Sequence, residues 1–122
     1  MEVIRAGSIE VVRVVFEGYA GGGDPPNAYF IPHKPLVIID TGIAYPGNLD
    51  AVSAALAPFG LALSDIEQVV FTHWHWDHTG LAREIADRSK AVFSAHPAER
   101  ARPTASKDGC RAPLLDPRRV EA

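Results

Sequence analysis

The sequence predicts an α/β chain of alternating strands and helices, and three observations carry that expectation. Strand-length runs rich in β-branched and apolar residues recur at residues 9–16, 27–31, 36–40, 68–72 and 91–95. Two stretches between them, residues 50–59 and 79–88, show the spacing of amphipathic helices. The chain has 122 residues, 47% of them hydrophobic and 22% charged, which suits one soluble globular domain.

The elements follow in order. Residues 9–16 form a strand bounded by Gly18, and residues 20–26, with three glycines and two prolines, form a loop. Residues 27–31 and 36–40 are two further strands joined by Pro32-His33-Lys34-Pro35. The second of them, Leu-Val-Ile-Ile-Asp, is apolar enough for burial on both faces. In the helix at 50–59, Val52, Ala55, Leu56 and Phe59 share one side, and Gly60 suits the position just past its end. Ser64 to Glu67 has the form of a capping box and predicts one short turn before the strand at 68–72. The next helix starts at Thr79 or Gly80 and runs to about Arg88, with Leu81, Ala82 and Ile85 inward. After the strand at 91–95, residues 97–100 begin another helix.

The last 22 residues differ from the rest. Residues 1–100 hold seven Lys/Arg against twelve Asp/Glu, a net of −5, whereas residues 101–122 hold five against three, a net of +2. With three prolines and no hydrophobic periodicity, residues 101–122 read as a poorly ordered tail after a folded unit at 1–100. The overall charge of −3 argues against a basic nucleic-acid binder. No apolar run approaches the ~20 residues of a membrane-spanning helix. Met1-Glu2-Val3-Ile4-Arg5 does not read as a signal peptide, and the one cysteine, Cys110, cannot form an intrachain disulfide and is expected to be a free thiol. These features point to the cytoplasm.

The segment that carries chemistry is Thr72-His73-Trp74-His75-Trp76-Asp77-His78-Thr79-Gly80. Three of the five histidines fall within six positions. The segment follows a strand and precedes a helix, which places it at the carboxyl edge of a sheet, where α/β folds bind ligands. In extended backbone His73 and His75 point the same way, and the turn into the helix brings Asp77 and His78 toward the same pocket. Imidazole nitrogen and carboxylate oxygen suit zinc, and also iron or manganese. Trp74 and Trp76 alternate with the histidines and are expected to pack on the opposite side.

This pattern, HxHxDH after an apolar strand and followed by Thr79-Gly80, resembles the metallo-β-lactamase superfamily. Asn27-Ala28-Tyr29-Phe30-Ile31, Val37-Ile38-Ile39-Asp40-Thr41-Gly42 and Ala91-Val92-Phe93-Ser94-Ala95-His96 agree with it, as does a β-hairpin start, so the resemblance covers about residues 8–100. It implies half of an αββα sandwich, a mixed sheet with helices on one face. It implies that His73 and His75 serve one metal ion and Asp77 and His78 a second. Asp77 would also orient a metal-bound hydroxide that attacks an ester, thioester, lactone, amide or phosphodiester. Asp40 would fix ligand geometry by hydrogen bonds without touching the metal.

The departure from the family is as informative. The family's domain is about twice as long, and its second half supplies a further histidine to the first metal, a bridging aspartate and a last histidine. None of these has a counterpart after His78; His96 matches a position that is not normally a ligand and is expected to cap or face solvent. The chain therefore reads as a truncated first half. That leaves two readings: a metallo-hydrolase acting on a small molecule, or a non-catalytic metal-binding fragment. Half a sandwich also leaves one sheet face uncovered, which a homodimer would cover. His33, between prolines, is expected in solvent, and the glycine-rich loop lacks the spacing of a phosphate cradle.

Overall fold

A computed structural model describes residues 1–16 and 25–98, together with the backbone of Val120 and Glu121. Among the described residues seven strands form one sheet in chain order: β1 (Glu2–Ala6), β2 (Ile9–Val14), β3 (Ala28–Phe30), β4 (Leu36–Ile39), β5 (Ile66–Val70), β6 (Val92–Ser94) and β7 (Val120–Glu121). Each of the first four is antiparallel to the next; β4 to β7 run parallel. The two parallel crossovers among the described residues carry helices, α1 (Asn48–Leu56) between β4 and β5, then α2 (Trp76–Thr79) and α3 (Ala82–Arg88) between β5 and β6. This matches the mixed α/β sheet expected from the sequence.

The core lies on one side of the sheet. Val12, Val14, Ala28, Phe30, Leu36, Ile38, Ile66, Val69 and Phe93 pack against Val52, Ala55 and Leu56 of α1 and Ala82 and Ile85 of α3. Pleating sends alternate residues to the other side. There the lateral row Arg13, Tyr29, Ile39, Val70, Ser94 follows from the strand registers, and Val15 and Ile39 are exposed. The apolar β4 run is therefore not buried on both faces: Leu36 and Ile38 are covered by the helices, while Val37 is half-buried and Ile39 is 38% exposed.

Several boundaries move for local reasons. β1 had no periodic signal because it is exposed along its whole length; its pairing with β2 forms it. The helix predicted at 50–59 starts at Asn48 and passes at Ala57–Phe59 into a 3-10 turn, ended by Gly60 in the left-handed region at φ 68°. The capping box at 64–67 does not form. The 3-10 turn is Leu63–Asp65, and Asp65, not Ser64, supplies its side-chain bond, accepting the Ala62 N–H at 2.9 Å. Glu67 is already in β5.

The helix predicted from Thr79 or Gly80 begins earlier, at Trp76, and is interrupted. The Gly80 N–H donates to Gly42 O at 2.8 Å instead of to the carbonyl four residues back, so α2 stops and α3 restarts at Ala82. Most of the glycine-rich loop, the helix expected at 97–100 beyond Ala98, Cys110 and the tail apart from Val120 and Glu121 lie outside the described residues.

Candidate metal centre

The site forms where the carboxyl ends of β4 and β5 lie side by side. The Asp40 N–H extends the ladder to Val70 O at 2.9 Å, after which Asp40 turns into the left-handed region at φ 57°. An aspartate tolerates that conformation better than most residues, and here it ends the strand and turns the chain. The turn then zips to the HxHxDH segment. The Thr41 N–H and hydroxyl both donate to His78 O, at 2.8 and 3.1 Å, and Gly80 bonds Gly42 as described. Both glycines are required. A Cβ on Gly42, itself at φ 74°, would sit 2.6 Å from Phe16 Cζ; one on Gly80 would meet Ala44 N and lie 2.8 Å from Gly42 O.

Asp40 is 4% exposed and fully engaged. Oδ1 accepts the Thr72 N–H at 2.8 Å, and Oδ2 accepts the Thr72 hydroxyl at 2.7 Å and His78 Nδ1 at 2.9 Å. Thr72 Oγ1 lies 2.9 Å from His73 Nδ1. The His73 ring centroid stands 4.5 Å from that of His75 and 4.2 Å from that of His78. Asp40, His73 and His78 each offer one ligand atom, all within 4.8 Å of one another.

Burial pushes the His73 imidazole below its ordinary pKa; the neighbouring His78 and His75 rings push it further, while the Asp40 and Asp77 carboxylates pull it back. A neutral imidazole is the form that ligates a metal. The donor set therefore fits a metal ion in atom type, and His73 fits it in protonation as well.

The structure brings together three of the four ligands expected from the sequence: His73, His75 and His78 meet as rings. The convergence of His73 and His75 is that of alternate residues in extended backbone, which His75 (φ −68°, ψ 141°) keeps until α2 starts. His75 is exposed and Asp77 half-buried in the first turn of α2, and both stand outside the 4.8 Å group. Asp77 is near enough to act on the charge of His73.

Trp74 packs inward as expected, its ring 5.2 Å from Phe71, which in turn stacks on Phe93. His96 caps a local turn, Nδ1 accepting the Ala98 N–H at 3.2 Å, and His33 is exposed. Sequence reasoning missed Thr72 and Thr41. Both immediately neighbour recognised residues, but only the folded chain shows which groups their hydroxyls reach.

Comparison with known proteins agrees with this geometry. The family description "Metallo-beta-lactamase superfamily" matches residues 21–120. The chain is 38% identical over 64 residues to "Probable metallo-hydrolase YqjP" of Bacillus subtilis (strain 168), which covers 52% of this chain and 20% of that protein. It is 35% identical over 95 residues to an "Atrochrysone carboxyl ACP thioesterase" of Emericella nidulans, covering 74% of this chain and 29% of the relative. Among solved structures, a metallo-beta-lactamase family protein from Thermus thermophilus superposes with a TM-score of 0.64 at 26% identity, covering 75% of this chain and 30% of that one. BJP-1, a subclass B3 metallo-beta-lactamase of Bradyrhizobium japonicum, superposes with a TM-score of 0.55 at 27% identity, covering 75% and 31%. The chain thus spans less than a third of the length of the curated relatives it matches. With the matched region holding the clustered imidazoles and the two strands, β4 and β5, that position them, the chain belongs to the metallo-β-lactamase superfamily.

Proposed function

We propose that this chain carries the first half of the active site of a metal-dependent hydrolase acting on a small molecule, with His73, His75, Asp77 and His78 as ligands and zinc as the favoured ion, iron or manganese being alternatives. The observation that supports it is the convergence of three imidazoles beside a buried, fully hydrogen-bonded carboxylate at the carboxyl ends of two parallel strands. When bound, the metal supplies Lewis acidity and activates water at neutral pH. The residues do the rest. Asp40 holds His78 by its Nδ1 and leaves Nε2 for ligation. His73 and His75 enter from the strand side, and Asp77, at the start of α2, would orient the attacking water.

Ester, thioester, lactone, amide and phosphodiester bonds all suit this chemistry. The thioesterase names of three relatives weight the reading toward thioesters. The net charge of −3 supports a small-molecule substrate over nucleic acid. Among the described residues no helix is long and apolar enough to cross a membrane, and with a single cysteine the reading places the chain in the cytoplasm.

A second reading is a metal-binding fragment without turnover; the chain spans 29% or less of its curated relatives, and their activity does not carry over to it by length alone. The row Tyr29, Ile39, Val70 on the sheet face away from the helices supports a second copy covering that face in the isolated chain. Light scattering that found only monomer would remove that part of the reading.

Zinc, iron and manganese content per chain, measured beside His73→Ala/His75→Ala, tests the metal centre. One or more equivalents lost in the double variant supports it; equal content in both would overturn it. Hydrolysis of a generic thioester and a lactone by the loaded protein, abolished in His75→Ala, would distinguish the enzyme from the fragment.

A further inference from the structure

We infer that Thr72 is a positioning residue that relays the hydrogen bonding of Asp40 to His73, so that one buried carboxylate sets the tautomer of two histidines. Asp40 Oδ2 is 2.7 Å from Thr72 Oγ1 and 2.9 Å from His78 Nδ1, and Oδ1 receives the Thr72 N–H. A carboxylate only accepts, so the Thr72 hydroxyl gives its one proton to Asp40 and His78 carries its proton on Nδ1. The hydroxyl oxygen then has only lone pairs to offer His73 Nδ1, 2.9 Å away, and that nitrogen must donate. Both neutral rings are thereby held as the Nδ1–H tautomer, the one a free histidine side chain disfavours, with both Nε2 lone pairs open.

The arrangement has a local cause. Thr72 is the first residue beyond the bonding of Phe71 to Ser94, and its backbone and side chain both grip Asp40 across the β4–β5 boundary. Thr72 itself is exposed and contributes nothing to the apolar core. Its hydroxyl therefore serves the Asp40–His73 link rather than packing, and an isosteric valine removes the link while keeping shape. In the metal-binding reading above, on which the functional part of the inference rests, the relay prepares His73 as a ligand before any ion arrives.

The test is the tautomeric state of His73 and His78 in the metal-free full chain, read from long-range 1H–15N correlations at about pH 8, well above the ordinary imidazole pKa of about 6.5. The expected result is Nδ1–H on both rings, loss of that state at His73 alone in Thr72→Val, and its retention in Thr72→Ser. Zinc affinity, measured against a chromophoric chelator, should fall about tenfold in Thr72→Val, the low end for residues that orient a ligand, and recover in Thr72→Ser. An Nε2–H tautomer on His73 in the unaltered chain would overturn the relay without any variant having to fold. So would an unchanged His73 tautomer in folded Thr72→Val. Nδ1–H tautomers in a chain that takes up no zinc would uphold the relay and overturn the metal centre instead.

Discussion

Gly80→Ala sets two effects of opposite sign against each other. Gly80 has helical backbone angles, φ −56° and ψ −45°, so alanine would by propensity stabilise it by up to about 1 kcal/mol. The added Cβ, however, would meet Ala44 N and lie 2.8 Å from both Gly42 O and Ile43 C. All three are backbone atoms of the turn after β4, which cannot rotate away as a side chain could. Forced overpacking of this kind costs about 1–3 kcal/mol. Moving the turn also weakens the bonds from Gly80 N–H to Gly42 O and from Thr41 to His78 O, each worth about 0.5–1.5 kcal/mol. Sterics should win, leaving a net loss of about 2–3 kcal/mol. For a chain of this size that is a fall in Tm of roughly 6–12 °C. Because His78 is held by its own carbonyl from Thr41, the same variant should displace its ring and weaken zinc binding. Thermal denaturation followed by circular dichroism, with zinc titration at low temperature, reads both. A variant as stable as the unaltered chain would refute the close approach of the two loops and the claim that it positions the site.

Asp40→Ala removes the acceptor for His78 Nδ1 and both Thr72 donors and should weaken zinc binding about 10–100-fold, whereas Asp40→Asn keeps part of the pattern and should lose less; competition with a chelator measures both. Phe93→Ala empties a fully buried position stacked on Phe71 and should cost about 3–5 kcal/mol in denaturant unfolding. In the metal-free chain His73 should titrate below the ordinary histidine range by NMR. The sign for stability follows: between its depressed folded pKa and about 6.5 the unfolded chain binds more protons at His73, so this group makes the fold less stable as pH falls through that window, and denaturation midpoints compared with His73→Gln should show it.

What the sequence determined by itself was local. Strand-length apolar runs, the helical spacing around Val52 and Leu56, and the stop at Gly60 each need only near neighbours, and they carried the alternation of strands and helices; the mixed sheet with its helices on one side came with the family resemblance. The histidine cluster was legible for the same reason: alternate residues in extended backbone share a side, which is why His73 and His75 meet. Tertiary structure decided everything that depends on a partner distant in the chain. β1 exists because β2 pairs with it, not through any periodicity of its own. α2 and α3 are separate because the Gly80 N–H finds Gly42 rather than its own helix. β4 is buried on one face only, since Leu-Val-Ile-Ile reads alike whether one layer covers it or two. The bonds from Asp40 to Thr72 and His78 join residues more than thirty positions apart, so they arise only when β4 and β5 align in parallel and set their carboxyl ends side by side.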